Sequence, residues 1–170
     1  MKRHRTARLL GLGTTAAALF TLNPASAQAA TATDTMAVSA TVTTACVLTA
    51  SPLAFGNYNP TSTSATDAAT TINVTCTNGT SYTVGLSAGT TSGSTVTARK
   101  MTRNGTNLNY AIYQDSGRTT NWGNTSGTDT PASAVAGASA TTLNVYGRIA
   151  AGQNVAAGSY TDSVTVTVNY

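Results

Sequence analysis

The sequence predicts an all-β protein folded as a sandwich of six or seven strands. Three observations lead to this fold class. Thr, Ser, Ala, Gly and Val dominate the composition, only 8% of residues are charged, and apolar residues recur at every second position in several short runs. Such alternation is typical of strands with one buried face, and no segment shows a convincing helical pattern. Two packed sheets are the simplest way to bury those faces.

The first 27 residues have the pattern of a secretory signal peptide. A basic cluster ending at Arg8 precedes an apolar run over residues 9–22, and Ala25 and Ala27 supply the small residues of a cleavage site. The run is shorter than the roughly 20 residues that a spanning helix needs, and no later segment is long and apolar enough. We therefore expect residues 1–27 to be removed, and residues 28–170 to be exported as one domain without a transmembrane segment.

The charge of the exported part excludes nucleic acid as a partner. Four of the nine basic residues lie in the signal peptide, so the remaining five balance the five aspartates. No basic stripe is left to neutralise phosphates.

Catalysis is equally disfavoured by composition. The only histidine, His4, lies in the signal peptide and the chain has no glutamate, so no Ser–His or Cys–His pair can form after cleavage. We interpret the five aspartates as solvated turn residues and Lys100 as a surface charge in an exposed basic stretch, residues 99–103. No catalytic residue, cofactor or metal ligand set is predicted, because two thiols without a histidine are too few for a typical zinc site.

Cys46 and Cys76 are the only cysteines. Oxidising compartments favour a disulfide in an exported chain, so we predict a Cys46–Cys76 bond. Closing a loop of about 30 residues stabilises a fold by about 3 kcal/mol through the unfolded state.

Alternation places the strands along the chain. Residues 36–42 form one predicted strand, and residues 46–48 with 53–60 form another that ends in a turn. Further strands are predicted at 72–76, 81–89, 95–102, 108–115, 141–149 and 161–170, with a hairpin turn at 77–80. Residues 61–69 are predicted to be polar turns, and residues 116–140 a long loop with room for one short strand.

Both ends of the exported chain carry a strand pattern. Residues 161–170 form the most regular run, and residues 28–42 also alternate. The N-terminal segment either forms the first strand of its own domain or fills an open sheet edge in a neighbouring molecule. The second arrangement joins different surfaces and so propagates into a filament. The pattern alone leaves both open.

Several segments resemble a known family. They are LAFGNYNP at 53–60, INVTCTNGTSYTVGLSAG at 72–89, RKMTRNG at 99–105, LNYAIYQDSGRTTNWGN at 108–124 and VYGRIAAGQNVAAGSYTDSVTVTVNY at 145–170. In this order, and with both cysteines, the chain is similar to the spore coat protein U domain family, which includes major subunits of archaic chaperone–usher pili.

The resemblance implies an incomplete immunoglobulin-like sandwich, residues 43–170, that lacks its last strand and is completed by donor-strand exchange. Residues 28–42 would supply the donor strand, roughly residues 33–42. The expected inward residues of that strand are Met36, Val38, Ala40 and Val42, although a one-residue slip would reverse every side chain. The expected acceptor groove is lined by Val164, Val166, Val168 and Tyr170, with Tyr170 in the part that a chaperone recognises.

The implied function is that of a secreted structural subunit of a pilus or of a spore or cell surface coat, supporting adhesion or biofilm formation. Its expected partners are identical or related subunits, a periplasmic chaperone and an outer-membrane usher.

The alternative is a monomeric secreted module that binds a carbohydrate or a surface. Trp122 in a Gly- and Asn-rich loop would join Tyr110 and Tyr113 in an aromatic platform. However, residues three apart in a strand point to opposite faces, so we interpret Trp122 as a partly buried lid over the sandwich.

Overall fold

The computed structural model describes residues 28–170, and the predicted signal peptide lies outside these residues. The described residues divide into two units at residue 40, and every strand within residues 28–170 belongs to the second unit, residues 41–170. Residues 28–45 are exposed and carry no strand. Among the described residues there is no helix long and apolar enough to cross a membrane. The expected boundary between residues 42 and 43 stays a prediction.

Within residues 28–170, eight antiparallel strands form two sheets. They are β1 Cys46–Ala50, β2 Thr66–Cys76, β3 Ser81–Leu86, β4 Arg99–Arg103, β5 Thr106–Tyr113, β6 Ala134–Val135, β7 Thr141–Ile149 and β8 Val166–Asn169. The larger sheet has the order β1-β2-β7-β5-β4 and the smaller one the order β6-β3-β8. The predicted all-β sandwich is confirmed, with one strand more than the upper expectation because the two-residue β6 pairs with β3.

The core lies between the two sheets. Period-2 alternation places the apolar residues of β2, β5 and β7 on the inner face of the larger sheet, and those of β3 and β8 face them. The most deeply buried apolar side chains include Trp122, Leu86, Ile149 and Val74. The wider sheet has five strands against three, so part of its inner face is not covered by the smaller sheet.

Several predicted strand boundaries are wrong. Residues 53–60 are not part of any sheet. Pro52 lacks a backbone N–H and Gly56 has φ 70°, so neither fits a ladder. Residues 36–42 form no strand within this chain, and their prediction as a strand donated to a neighbour stays a prediction. In contrast, Thr66–Ala69 belongs to β2 and not to a turn, since it pairs with the second half of β7.

Three other predicted strands are shorter than expected. The strand predicted at 81–89 ends at Leu86. Of residues 95–102, only those from Arg99 onward lie in β4, after an isolated bridge between Thr95 and Ala98. The last strand begins at Val166 and not at 161, because Thr161 exchanges backbone hydrogen bonds with Thr102 of β4.

The predicted disulfide is confirmed. Cys46 opens β1 and Cys76 closes β2, and the two residues are direct partners in the antiparallel register. The bond closes a loop with a sequence separation of 30 residues. It therefore ties the edge strand β1 to its neighbour β2 in the larger sheet.

Replacing both cysteines, Cys46→Ser with Cys76→Ser, should lower the free energy of unfolding by about 3 kcal/mol, because the unfolded chain regains the entropy of the open loop. Chemical denaturation measures the loss. The matched control is Thr75→Ser, on the exposed face beside Cys76, which should change the free energy by less than about 0.5 kcal/mol. A loss below about 1 kcal/mol in the double variant would contradict the proposed constraint on the unfolded chain.

Candidate functional site

An open groove lies where the two sheets meet. β1 is an edge strand of the larger sheet and β8 an edge strand of the smaller one, so within residues 28–170 each has a partner strand on one side only. Between them is a groove of about 440 Å³. One wall is formed by residues 50–55, which follow β1, and the other by residues 160–166, which lead into β8. An apolar cleft between two open strand edges is a site for an added strand.

The groove floor is apolar. It consists of inward side chains from both sheets, among them Ile72, Leu86, Ile112 and Val145. These four side chains are each at most 4% exposed. These side chains belong to the hydrophobic core, so the groove lies directly above the core.

The open edge of β8 presents backbone groups in a fixed order. The Ser87 N–H donates to the Thr165 carbonyl oxygen, so residue 165 bonds toward β3. In an antiparallel pair such bonds alternate, which directs the backbone N–H and C=O groups of Val164, Val166 and Val168 to the open edge. The backbone groups of these three residues have no partner strand within the described chain.

The predicted acceptor residues lie in different surroundings. Val164 and Val166 line the groove, and Val168 lies on the same face and packs against the core. Tyr170 does not line the groove and is 62% exposed. Their role in accepting a strand stays a prediction.

The predicted donor residues are exposed. Met36 and Val38 each expose 87% of their surface and Val42 exposes 83%, while Ala40 is also exposed. Large apolar side chains are seldom left in water to this extent over so short a segment. Which face of this segment would enter a groove stays a prediction.

Asp162 is a polar residue in the groove wall, and its interpretation as a solvated turn residue is wrong. It shares the inward face of Val164 and Val166. The Tyr110 hydroxyl donates to Oδ2 at 2.7 Å, and the Thr90 N–H donates to Oδ1 at 2.9 Å. A partly buried carboxylate is stabilised by such partners, and these contacts hold the loop after β3 against the segment that leads into β8.

Burial and hydrogen bonding shift the pKa of both Asp162 and Tyr110. Partial burial raises the pKa of Asp162, but hydrogen bonds from Tyr110, Thr90 and Ser163 outweigh it, so the pKa lies below its ordinary value. The pKa of Tyr110 is raised, first by burial and then by its hydrogen bond to Asp162. The carboxylate is therefore charged and the phenol neutral at ordinary pH.

Arg99 is fully buried, so the interpretation of residues 99–103 as an exposed basic stretch is wrong. Its guanidinium donates four hydrogen bonds of 2.7–2.9 Å to backbone carbonyls, those of Ser87, Val96, Leu86 and Trp122. Burial lowers the pKa of Arg99, and the nearby Tyr110 and Asp162 partly offset this. A buried cation needs such a complete set of acceptors, which here come from two separate loops.

Trp122 is also buried, at 1% exposure, and neither the platform nor the partly exposed lid is correct. Its indole Nε1–H donates to the Val84 carbonyl at 2.8 Å. Tyr110 is buried and Tyr113 is only partly so, as expected for opposite faces of β5. Without Trp122 and Tyr110 the aromatic platform does not exist at this position.

The other aspartates divide between strand and turn positions. Asp67 lies in β2 and not in a turn, where Arg148 donates to both of its oxygens and Arg118 lies 3.3 Å away. The hydrogen bonds from Arg148 lower the pKa of Asp67. Asp115 accepts from the Thr119 and Thr120 N–H groups, which fits the interpretation as a turn residue and lowers its pKa.

Comparison with known proteins decides the family. Residues 32–167 match the profile of the Spore Coat Protein U domain. The chain belongs to this family. The resemblance noted in the sequence is thereby confirmed.

Two individual proteins show how far the similarity extends. Protein U of Myxococcus xanthus is 40% identical over 63 residues, which cover 37% of this chain and 34% of that protein. A chain in the crystal structure of the CsuC–CsuE chaperone–tip adhesion subunit pre-assembly complex, from the archaic chaperone–usher Csu pili of Acinetobacter baumannii, has a TM-score of 0.58 at 23% identity. That match covers 76% of this chain and 40% of the other. The structural similarity shows a shared fold, and the chain spans well under half of either relative.

In this Spore Coat Protein U domain, the Asp162 carboxylate should make stability pH-dependent. Its folded pKa is depressed, so its contribution is present above the unfolded pKa of about 3.9 and is lost as the pH falls through the folded value. Asp162→Asn should therefore show a smaller loss of stability below about pH 5 than the wild type. Chemical denaturation at a series of pH values measures the slopes, with Asp34→Asn as the exposed control. If stability falls with pH equally steeply in Asp162→Asn and in the wild type, the pH dependence does not come from the Asp162 carboxylate.

Proposed function

We propose that this chain is a structural subunit of a bacterial surface pilus or coat, and that it polymerises by donor-strand exchange. Residues 33–42 of one subunit would fill the groove between β1 and β8 of the next. The observation that carries the proposal is the apolar groove of about 440 Å³ between two strand edges that lack partners within residues 28–170. One extended strand would satisfy both edges and cover the core.

The groove suits an extended peptide in two respects, the backbone groups at its β8 edge and the apolar side chains of its floor. The backbone groups of Val164, Val166 and Val168 at the β8 edge would form a ladder with the added strand. Alternate side chains of that strand would then project onto the apolar floor, because successive residues of a strand point to opposite faces. Main-chain bonds supply affinity and the inward side chains supply specificity.

Residues 33–42 have the matching properties of a donor. They belong to no strand, and Met36, Val38 and Val42 are each more than 80% exposed. Burying an aliphatic side chain of this size contributes about 1.5–3 kcal/mol. From residue 36 onward the even-numbered residues are the better inward set, since the odd-numbered ones are Ala37, Ser39 and Thr41. Asp34 has the same parity but is charged, so it does not belong to this set.

Polymerisation follows from the positions of donor and acceptor. The two surfaces are different, so the contact is heterologous and repeats from subunit to subunit without closing by itself. The charges of residues 28–170 balance, with five basic residues and five aspartates, so stacked copies would not repel one another through net charge.

The expected partners follow from the same groove. A subunit with an open apolar groove would aggregate before assembly, so a periplasmic chaperone would have to cover it. An outer-membrane usher would then exchange the chaperone for the next donor strand at the cell surface. Adhesion and biofilm support would be properties of the finished filament or coat.

Charges on the inward donor face should abolish polymerisation. Val38→Asp with Val42→Asp would place carboxylates against the apolar floor, where an unpaired charge is strongly disfavoured. On an unboiled denaturing gel of the surface fraction, the wild type should give a ladder of multimers that collapses on boiling, and the double variant should give monomer. The matched control, Ser39→Asp with Thr41→Asp, carries the same charge on the other face and should keep the ladder.

The same gel also shows the outcomes that would contradict the predicted register or the polymerisation itself. If the Ser39 and Thr41 variant loses the ladder and the Val38 and Val42 variant keeps it, the strand enters in the opposite register. If well-expressed wild type gives only monomer when its genomic neighbours are co-expressed, the polymer proposal is wrong and the monomeric binding module is favoured.

The acceptor side gives an independent test. Val166→Asp would spoil the groove but leave the donor intact, so a small fraction of this variant should bind the end of a growing filament and stop it. Filaments measured by electron microscopy should shorten as the variant fraction rises. The control, Thr167→Asp, lies on the exposed face of β8 and should leave the length unchanged. Equal lengths with both variants would contradict a role of Val166 in the groove.

A further inference from the structure

Residues 52–57, the first part of which lines the groove wall, have no regular backbone bonding, and we call this segment the strap. It is fixed at one end by the Ser51 N–H, which donates to the Thr71 carbonyl at 3.0 Å. At the other end the Tyr58 hydroxyl donates to the Ala150 carbonyl at 3.1 Å and accepts from the Gln153 N–H at 2.7 Å. Between these anchors no strap backbone group makes a hydrogen bond within residues 28–170. The strap can therefore shift without breaking a ladder.

Two strap side chains, Leu53 and Phe55, fill a notch in β7, and we call this pair the plug. The notch exists because residue 147 is glycine. A Cβ atom there would lie 2.7 Å from Phe55 Cζ and 2.8 Å from Leu53 Cδ2. The Phe55 ring also packs edge-on against Tyr110, with 5.9 Å between centroids. A glycine within a strand marks a close approach by another part of the chain.

The plug stands between two cavities. Leu53 and Phe55 line the groove, and they also line a second cavity of about 630 Å³ beside residues 155–160. Met101 and Tyr160 complete this shared boundary. The plug therefore has open space on the side away from the groove.

We propose that the plug is displaceable, and that an incoming donor strand moves Leu53 and Phe55 out of the groove toward the second cavity. This inference rests on the proposed function and adds regulation to the same site. In the free subunit the plug covers part of the apolar floor. Its displacement is then a step that every donor strand must complete, so the plug slows strand entry while it shields the core.

The chain itself offers a selective probe of this movement. Phe20 and Phe55 are the only phenylalanines, so in the chain from residue 28 onward fluorophenylalanine labels Phe55 alone. The acceptor is the full exported chain carrying Val38→Asp and Val42→Asp, which cannot donate. The added strand is a synthetic peptide with the sequence of residues 28–42. At saturation the fluorine resonance should move and lose its nuclear Overhauser contact with the Tyr110 ring. Retention of that contact in the complex would overturn the proposal.

Association kinetics provide the second measurement. Gly147→Ala should push the plug outward, because the added Cβ atom would lie too close to the ends of the Leu53 and Phe55 side chains. Phe55→Ala should remove the larger of the two plug side chains. Both variants should bind the peptide about three- to tenfold faster, the range expected when an edge-on aromatic contact is lost. Leu143→Ala is the control. It removes apolar atoms from the same strand but lines neither cavity, so its rate should equal that of the parent.

Folding of each variant is checked by the fluorescence of Trp122, the only tryptophan, which is buried. If Phe55→Ala fails to fold, Gly147→Ala with the fluorine label still decides the question. If Gly147→Ala binds the peptide at an unchanged rate and the fluorine resonance does not move, the displaceable plug is overturned and the proposed function still stands. Absence of peptide binding to every variant and to the parent would overturn the proposed function as well.

Discussion

Every backbone strand edge needs hydrogen-bond partners, and in this protein that requirement is not met at β8. The smaller sheet ends there, with β3 on one side and no strand on the other within the described chain. The larger sheet ends in the same region at β1, so two open edges and the core between them share one groove. The position of the groove, its apolar floor and the proposed use of a neighbour's strand all depend on this missing partner.

The rest of the molecule holds the groove walls in place. The disulfide fixes β1 to β2, and the Asp162 carboxylate fixes the start of the β8 wall through Tyr110 and Thr90. Arg99 lies behind this wall and joins the ends of loops that are distant in sequence by bonding their carbonyls. The strap is the exception, because it has anchors only at its ends. A held frame with one segment anchored only at its ends is compatible with the strand exchange proposed above.

Much of this fold could be predicted from sequence because period-2 alternation and two cysteines in an exported chain have direct physical meaning. The first half of β2 was not predictable in this way, since residues 66–69 lack large apolar side chains at alternate positions and are seen as a strand only through their pairing with β7. Burial of Arg99 was also missed. Its acceptors come from loops, and nothing in the local sequence marks them.

Two features of the site did leave a signal in the sequence. Asp162 has the same parity as Val164, Val166 and Val168, which places its side chain on the inward face. Gly147 interrupts a regular strand pattern, which indicates close approach by another segment. The strand partner itself leaves no such signal, because the pattern of residues 33–42 is the same whether the segment pairs in its own molecule or in another.

Amide hydrogen exchange at the β8 edge tests the central claim most directly. The backbone N–H groups of Val164, Val166 and Val168 point to the open edge and have no partner strand within residues 28–170. Exchange rates are compared between the soluble subunit and the polymer, with the Val38→Asp, Val42→Asp variant as the unpolymerised reference. The account predicts that these three amides become strongly protected in the polymer and not in the variant. Equal exchange of the three amides in polymer and soluble subunit would show that no strand is added at β8, and would contradict the account.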